Sequence, residues 1–231
     1  MALIRRLLLS VVVLACSCFA PAAVAFDSAA GVYGSGPTIT WSHTCTGSSL
    51  VLVVGIAMRS NSASVTRVTY NGVALIQVGT TYVDSSNTGY NLAQFYLASP
   101  ATGTHTVSVT VSNANGVCGI SQSFTGCSGT VNNQTTATGG GFLSIGVPSA
   151  AGNYVADISV CVNPPNGRND TNLYGNLGTS YFYCSGGSSP STGSTQTVGI
   201  NNLYADAICG VNIVAGSQAR ASGGLATMGV G

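Results

Sequence analysis

Lysine and glutamate are missing altogether from this 231-residue chain, and the charge it has comes from six arginines and five aspartates, with two histidines besides. Each scarcity removes a class of function. Recognition of a phosphate backbone needs clustered cations, so no nucleic-acid partner is expected. Glycoside hydrolysis normally places two carboxylates across the scissile bond, whereas Asp27, Asp84, Asp157, Asp170 and Asp206 are scattered singly. Zinc needs closely spaced thiolates and imidazoles; no Cys-x-x-Cys pair occurs, and His43 and His105 stand far apart. A Gly-x-Ser-x-Gly elbow is also lacking, so nothing marks a serine as an activated nucleophile. No catalytic constellation, metal site or cofactor is expected.

Sustained helical periodicity is absent too, and no apolar run approaches the ~20 residues of a membrane-spanning helix. The N-terminus has a different pattern. Arg5 and Arg6 precede an apolar run from Leu7, and Ala23-Val24-Ala25 follows with small residues at the positions a signal peptidase accepts. Residues 1–25 are read as a secretory signal with cleavage after Ala25, with lipidation at Cys16 as a weaker alternative. The mature chain of about 200 residues suits one sandwich or barrel domain, secreted to the cell surface, the medium or the periplasm.

Six cysteines remain after the leader: Cys45, Cys118, Cys127, Cys161, Cys184 and Cys209. An even number on an exported chain reads as up to three disulfides. The pairing stays open, with the close pair Cys118 and Cys127 the first guess.

The strongest structural signal lies between Ser49 and Gly79. Ser49-Leu-Val-Leu-Val-Val-Gly-Ile-Ala-Met58 is a β-branched apolar run of the kind found in a buried strand. It is followed by Val65 to Val78, two alternating segments around Asn71-Gly72, the dipeptide that most readily adopts the positive φ of a tight hairpin. Thr38 to Cys45 alternates with Ile39, Trp41, His43 and Cys45 on one face; Thr104 to Val111 alternates with His105, Val107, Val109 and Val111 inward. Further strands are expected at 91–97, 118–125, 142–147, 153–162, 180–184, 195–200 and 205–214. The polar stretch 128–141 reads as a loop, 26–36 as a flexible N-terminal arm, and 217–231 as a loose tail. No internal repeat is evident. These elements predict an all-β protein, an antiparallel two-sheet sandwich of jelly-roll type with about ten to twelve strands over residues 37–216.

The blocks Val65-Thr-Arg-Val-Thr-Tyr-Asn-Gly-Val-Ala-Leu, Phe95-Tyr-Leu-Ala-Ser-Pro, Thr102-Gly-Thr-His-Thr-Val and Ser123-Phe-Thr-Gly126, in that order, resemble a β-sandwich domain of secreted bacterial surface proteins and phage-type structural proteins. The resemblance implies a structural or adhesive role and carries over no catalytic residues.

Aromatic residues supply the one candidate ligand site. In Ser180-Tyr-Phe-Tyr-Cys184, a continuous strand with Phe182 inward would put Tyr181 and Tyr183 about 6.5–7 Å apart on the outer face, beside a loop carrying Tyr174. Paired rings of this kind stack on sugars. Asn169-Asp-Thr-Asn172 and Asp84-Ser-Ser-Asn87 offer one carboxylate each to a calcium ion, too few for a site. Sequence alone therefore points to an exported, non-enzymatic structural or adhesive protein that self-associates, with a carbohydrate-binding module as the alternative and a hydrolase last.

Overall fold

A computed structural model describes residues 23–60, 62–83, 89–139, 141–164, 166–179, 181–202 and 205–217. Most of the proposed leader, including Cys16, lies outside these residues, as do the loop 84–88 and the tail from 218 onward. The described chain is all strand: β1 (Ala25–Gly34), β2 (Thr38–Cys45), β3 (Val51–Arg59), β4 (Ser64–Tyr70), β5 (Val73–Ala74), β6 (Ile76–Val83), β7 (Tyr90–Ala98), β8 (Gly103–Ser112), β9 (Val117–Thr125), β10 (Cys127–Thr138), β11 (Gly141–Pro148), β12 (Tyr154–Cys161), β13 (Gly167–Arg168), β14 (Asn172–Thr179), β15 (Phe182–Pro190), β16 (Thr195–Asn202) and β17 (Ala205–Ala215).

The expected all-β antiparallel sandwich is borne out. Its extent is greater than expected, because the described residues form 17 strands in four sheets. Sheet I has the order β2-β8-β4-β5, sheet II β1-β9-β3-β7-β6, sheet III β10-β17-β12-β15-β14 and sheet IV β11-β16-β13. Side-chain packing sets their stacking. Leu52, Val54, Ile56 and Met58 on one face of β3 meet Ile39, Trp41, Val68, Val107 and Val109 of sheet I. Val51 and Val53 on its other face meet Tyr154, Ala156, Val211 and Ile213 of sheet III. Beyond that layer, Val155 and Ile208 pack on Leu143, Ile145, Val147, Val198 and Ile200 of sheet IV. The order is I–II–III–IV, two sandwiches back to back. The unbroken apolar run of β3 follows from this position: a strand covered on both faces has no polar side to alternate with.

The two sandwiches share one strand order. Substituting β10 for β1, β17 for β9, β12 for β3, β15 for β7 and β14 for β6 converts sheet II into sheet III; β11, β16 and β13 likewise replace β2, β8 and β4. This topological repeat went unseen in the sequence because topology constrains burial pattern and turn placement, which many residue choices satisfy.

Four expectations about individual segments are corrected. The supposed flexible arm 26–36 is β1, paired along its length with β9; its small residues fit because Gly31 lies against Gly119 and under Tyr174 and Leu177, where a larger side chain would clash. The supposed loop 128–141 is mostly β10, a bulged edge strand of sheet III whose position asks for few apolar residues. The supposed loop carrying Tyr174 is strand β14, at 172–179. The Asn71-Gly72 turn forms, with φ of 49° and 79°, but only β5 pairs back on β4; the chain then crosses at Leu75 to the edge of sheet II.

Cys118 on β9 is bonded to Cys184 on β15, with Cα atoms 6.4 Å apart, fastening sheet II to sheet III. Cys118–Cys127 is excluded by geometry, since extended β9 separates them by about 25 Å. Cys45, Cys127 and Cys209 keep buried thiols in separate parts of the stack, so one bridge is present of the up to three that the cysteine count allows. Cys161 is buried between sheets III and IV. No helix among the described residues is long and apolar enough to cross a membrane.

Replacing Cys118 and Cys184 together by alanine should lower stability by about 4 kcal/mol, the chain-entropy value for partners 66 residues apart, read from the denaturant midpoint. The N-terminus yields a second test. Val24 is buried against the sheet II–III core and its N–H donates to the Gly152 carbonyl at 2.8 Å. Leader cleavage is therefore expected before Val24, at the small-x-small sequence Ala20-Pro21-Ala22, and not after Ala25; N-terminal sequencing of the exported protein decides between them.

Candidate functional site

Three polar features stand out from the apolar stack: an exposed hydroxyl face, a buried histidine network and a buried ionic cluster.

The hydroxyl face is the outer side of sheet I. Alternation along β2 exposes Thr38, Thr40, Ser42 and Thr44, and the register places them opposite Thr110, Ser108, Thr106 and Thr104 of β8. Cross-strand hydroxyls meet at 3.3 Å for Thr38–Thr110 and 2.8 Å for Thr44–Thr104, which holds the side chains in ranks. The equivalent face of sheet IV is built differently, from Phe142, Ser144, Gly146 and Pro148 opposite Asn201, Gly199, Thr197 and Thr195. The shared topology therefore does not require a hydroxyl array.

The histidine network lies between sheets I and II. His43 is inward on β2, as its alternation predicts, and only 1% exposed. Nδ1 sits 2.9 Å from Ser121 Oγ and Nε2 3.3 Å from Ser28 Oγ. Ser121 also accepts the Trp41 indole N–H at 2.8 Å. Asp27 connects to the ring through hydroxyls: Ser123 donates to its Oδ2 at 2.7 Å and lies 3.1 Å from Ser28. Burial pushes the His43 pKa down to about 4, opposed by the Asp27 charge. Burial also acts to raise Asp27, but hydrogen bonds from Ser123 and Thr46 outweigh it and hold that carboxylate below its usual value. A Ser-His-Asp hydrolase has its carboxylate on the imidazole and its serine open to substrate. Here serines occupy both ring nitrogens, and the ring is enclosed. His105, half-buried on β8, bonds the Thr102 carbonyl and stacks edge-on against Tyr70.

The ionic cluster lies between sheets III and IV. Asp157, in the middle of β12, takes a bond from Arg168 Nη2, while Arg168 Nε donates to Asp170 Oδ2 at 2.6 Å. Nη1 donates to Ser159 at 2.7 Å and Ser185 at 2.8 Å. The Asn166-Gly167-Arg168 tripeptide thus turns its arginine inward, and Asp170 serves an ion pair in place of the calcium role considered for it. Among the described residues no group of three His, Cys or Asp side chains is arranged to hold a metal ion.

The aromatic platform is not assembled. Tyr181 precedes β15 in a turn, with φ of 69°, and is 66% exposed; its carbonyl accepts the Tyr90 hydroxyl at 2.5 Å. Tyr183 is half-buried and lies opposite Cys161, on the sheet IV side of sheet III. Tyr174 packs on the opposite side, in the sheet II–III core over Gly31. The turn breaks the alternation that would have paired Tyr181 with Tyr183. The hydroxyl face and the ionic cluster were missed as sites. The cross-strand register of the first, and the loop closure behind the second, are not properties of any local segment.

Comparison of the chain with protein-family models, with curated proteins and with solved structures finds no match.

The low pKa of His43 has a consequence for stability. Between pH 6.5 and about 4 the unfolded chain takes up a proton that the fold refuses, so stability falls as the pH drops through that window. The loss should reach about 3 kcal/mol, and His43→Gln should flatten the dependence in denaturant titrations run across it.

Proposed function

We propose that this chain is an exported, non-enzymatic structural or adhesive protein of a cell surface, filament or particle. The observation that carries the reading is the β2–β8 part of the outer face of sheet I, a regular array of eight hydroxyls bordered by one charge, Arg67 of β4 opposite Thr110. A face carrying so little charge lets identical copies approach with little electrostatic repulsion. Withdrawal of Asp157, Arg168 and Asp170 into the interior thins the surface charge further. Groups suited to chemistry, notably His43 and Asp157, are enclosed and engaged in internal hydrogen bonds, which favours a structural role over a hydrolytic one. The resemblance to secreted surface and phage-type sandwich domains points the same way. Strand donation by residues 26–36, one conceivable route to assembly, is disfavoured because β1 is already paired with β9. A second reading, a secreted carbohydrate-binding module, rests on the exposed ring of Tyr181, with Tyr183 near it in sequence.

Light scattering of the oxidised mature chain over a concentration series should show growth into large species. Thr40→Arg combined with Thr106→Arg, which sets like charges on the face without touching the core, should hold the protein monomeric. A wild-type protein that stays monomeric at every concentration overturns the reading. A glycan array with Tyr181→Ala as control then tests the second one.

A further inference from the structure

The ionic cluster of the second sandwich does not balance if every group in it is charged. One guanidinium, Arg168, faces two carboxyls, and the side chains are 4% exposed for Arg168 and 0% for Asp157 and Asp170. The other groups facing them are neutral. β12 and β15 supply the hydroxyls of Ser159 and Ser185 and the bare Gly187, against which Asp170 is pressed. β17 supplies Gly210 on this face and the thiol of Cys209 on the other, and β11 supplies Ile145 and Val147. A net negative charge sealed among such neighbours is costly.

The unused oxygens indicate how the charge is balanced. Asp157 gives Oδ1 to Arg168 and Asp170 gives Oδ2, whereas Asp157 Oδ2 and Asp170 Oδ1 are buried with no bonded donor. The two carboxyls sit side by side, because Nη2 and Nε, which hold them, lie on one edge of the Arg168 guanidinium. Two ionised carboxylates have only acceptors to offer; a single proton between them makes the missing bond and brings the cluster to neutrality.

We propose that Asp157 and Asp170 share one proton, and that this proton latches residues 166–171 over the outer face of sheet III and releases them when it is lost to hydroxide. The rest of the attachment is slight. β13 contributes two paired residues, Gly167 with Asn201 and Arg168 with Ile200. Backbone N–H groups of Asn166, Asn169 and Thr171 add bonds to Asn201, Gly199 and Ser189. Once the proton leaves, two like charges remain in contact and the exposed segment can carry Arg168 and Asp170 out into water. Burial first, then the Asp170 charge, raise Asp157 well above the ordinary carboxylate range against the pull of Arg168. A carboxyl raised in the fold contributes its full stability below the unfolded value, ~3.9, and loses it as the pH rises through the folded value. The latch therefore opens on the alkaline side.

Two measurements on the oxidised full-length mature protein test this. Infrared spectroscopy at neutral pH should show the carbonyl band of a protonated carboxylic acid, absent in Asp170→Asn. Amide hydrogen exchange, corrected for intrinsic rate, should show protection of 166–171 falling at least about tenfold as the pH is raised from neutral into the alkaline range, while β3 stays protected. Asp170→Asn, whose amide donates at every pH, should abolish that fall; Asp157→Asn serves the same purpose if the first variant does not fold. A missing acid band in the wild type, or pH-independent protection of 166–171, overturns the proposal. So does an unchanged pH response in a folded variant.

Discussion

Sheets II and III are each covered on both faces, and the contact between them is the constraint on which the rest of the molecule depends. A strand in such a layer must be apolar on both sides or must bond any polar side chain internally; β3 and β9 obey this, and β12 and β15 depart from it at Asp157 and Ser188, each of which keeps a buried oxygen without a partner. Close approach of the layers is made by small residues meeting large ones. Gly55 lies under Ile158 and Gly186 under Ile120, at distances where an added methyl group would clash. Gln94 and Gln122 cross the same interface to donate to backbone carbonyls of sheet III, at 3.2 Å to Ala156 and 3.2 Å to Gly187. The Cys118–Cys184 bridge closes it covalently.

Polar groups drawn into this stack differ between the sandwiches, although the strand order is the same. In the first, His43 is kept neutral by burial among serines. In the second, a carboxyl pair is set against one arginine. The two devices have opposite pH signs. A base kept uncharged weakens the fold as protons become plentiful, and an acid kept protonated weakens it as they become scarce. Two sandwiches of common topology thus carry independent electrostatic loads, one sensitive to acid and one to alkali, with the apolar II–III interface between them insensitive to either.

The outer layers are under weaker constraint, and they diverge most. Sheet I presents ranked hydroxyls, whereas sheet IV, on an equivalent frame, presents glycine, proline and an exposed Phe142. Outer faces are free to vary because, among the described residues, no further layer of the chain packs on them.

Sequence alone determined the local elements whose cause is local. The alternation of β2 and β8, the doubly buried β3 and the Asn71-Gly72 turn each follow from a few neighbouring residues, because a strand shows its burial as a period of two and a turn shows its φ as a residue type. The same reasoning placed His43 inward. Tertiary structure decided whatever depends on residues far apart in the chain. Cys118 reaches Cys184 and not Cys127 because β9 and β15 lie in facing sheets; Tyr174, Tyr181 and Tyr183 part company because a turn and a sheet separate them. Arg168 finds Asp157 and Asp170 only when β13 closes over β12. The repeat of β1–β9 in β10–β17 belongs to the same class. Burial and register are properties of the assembled layers, and residue choices that satisfy them leave no common trace along the chain.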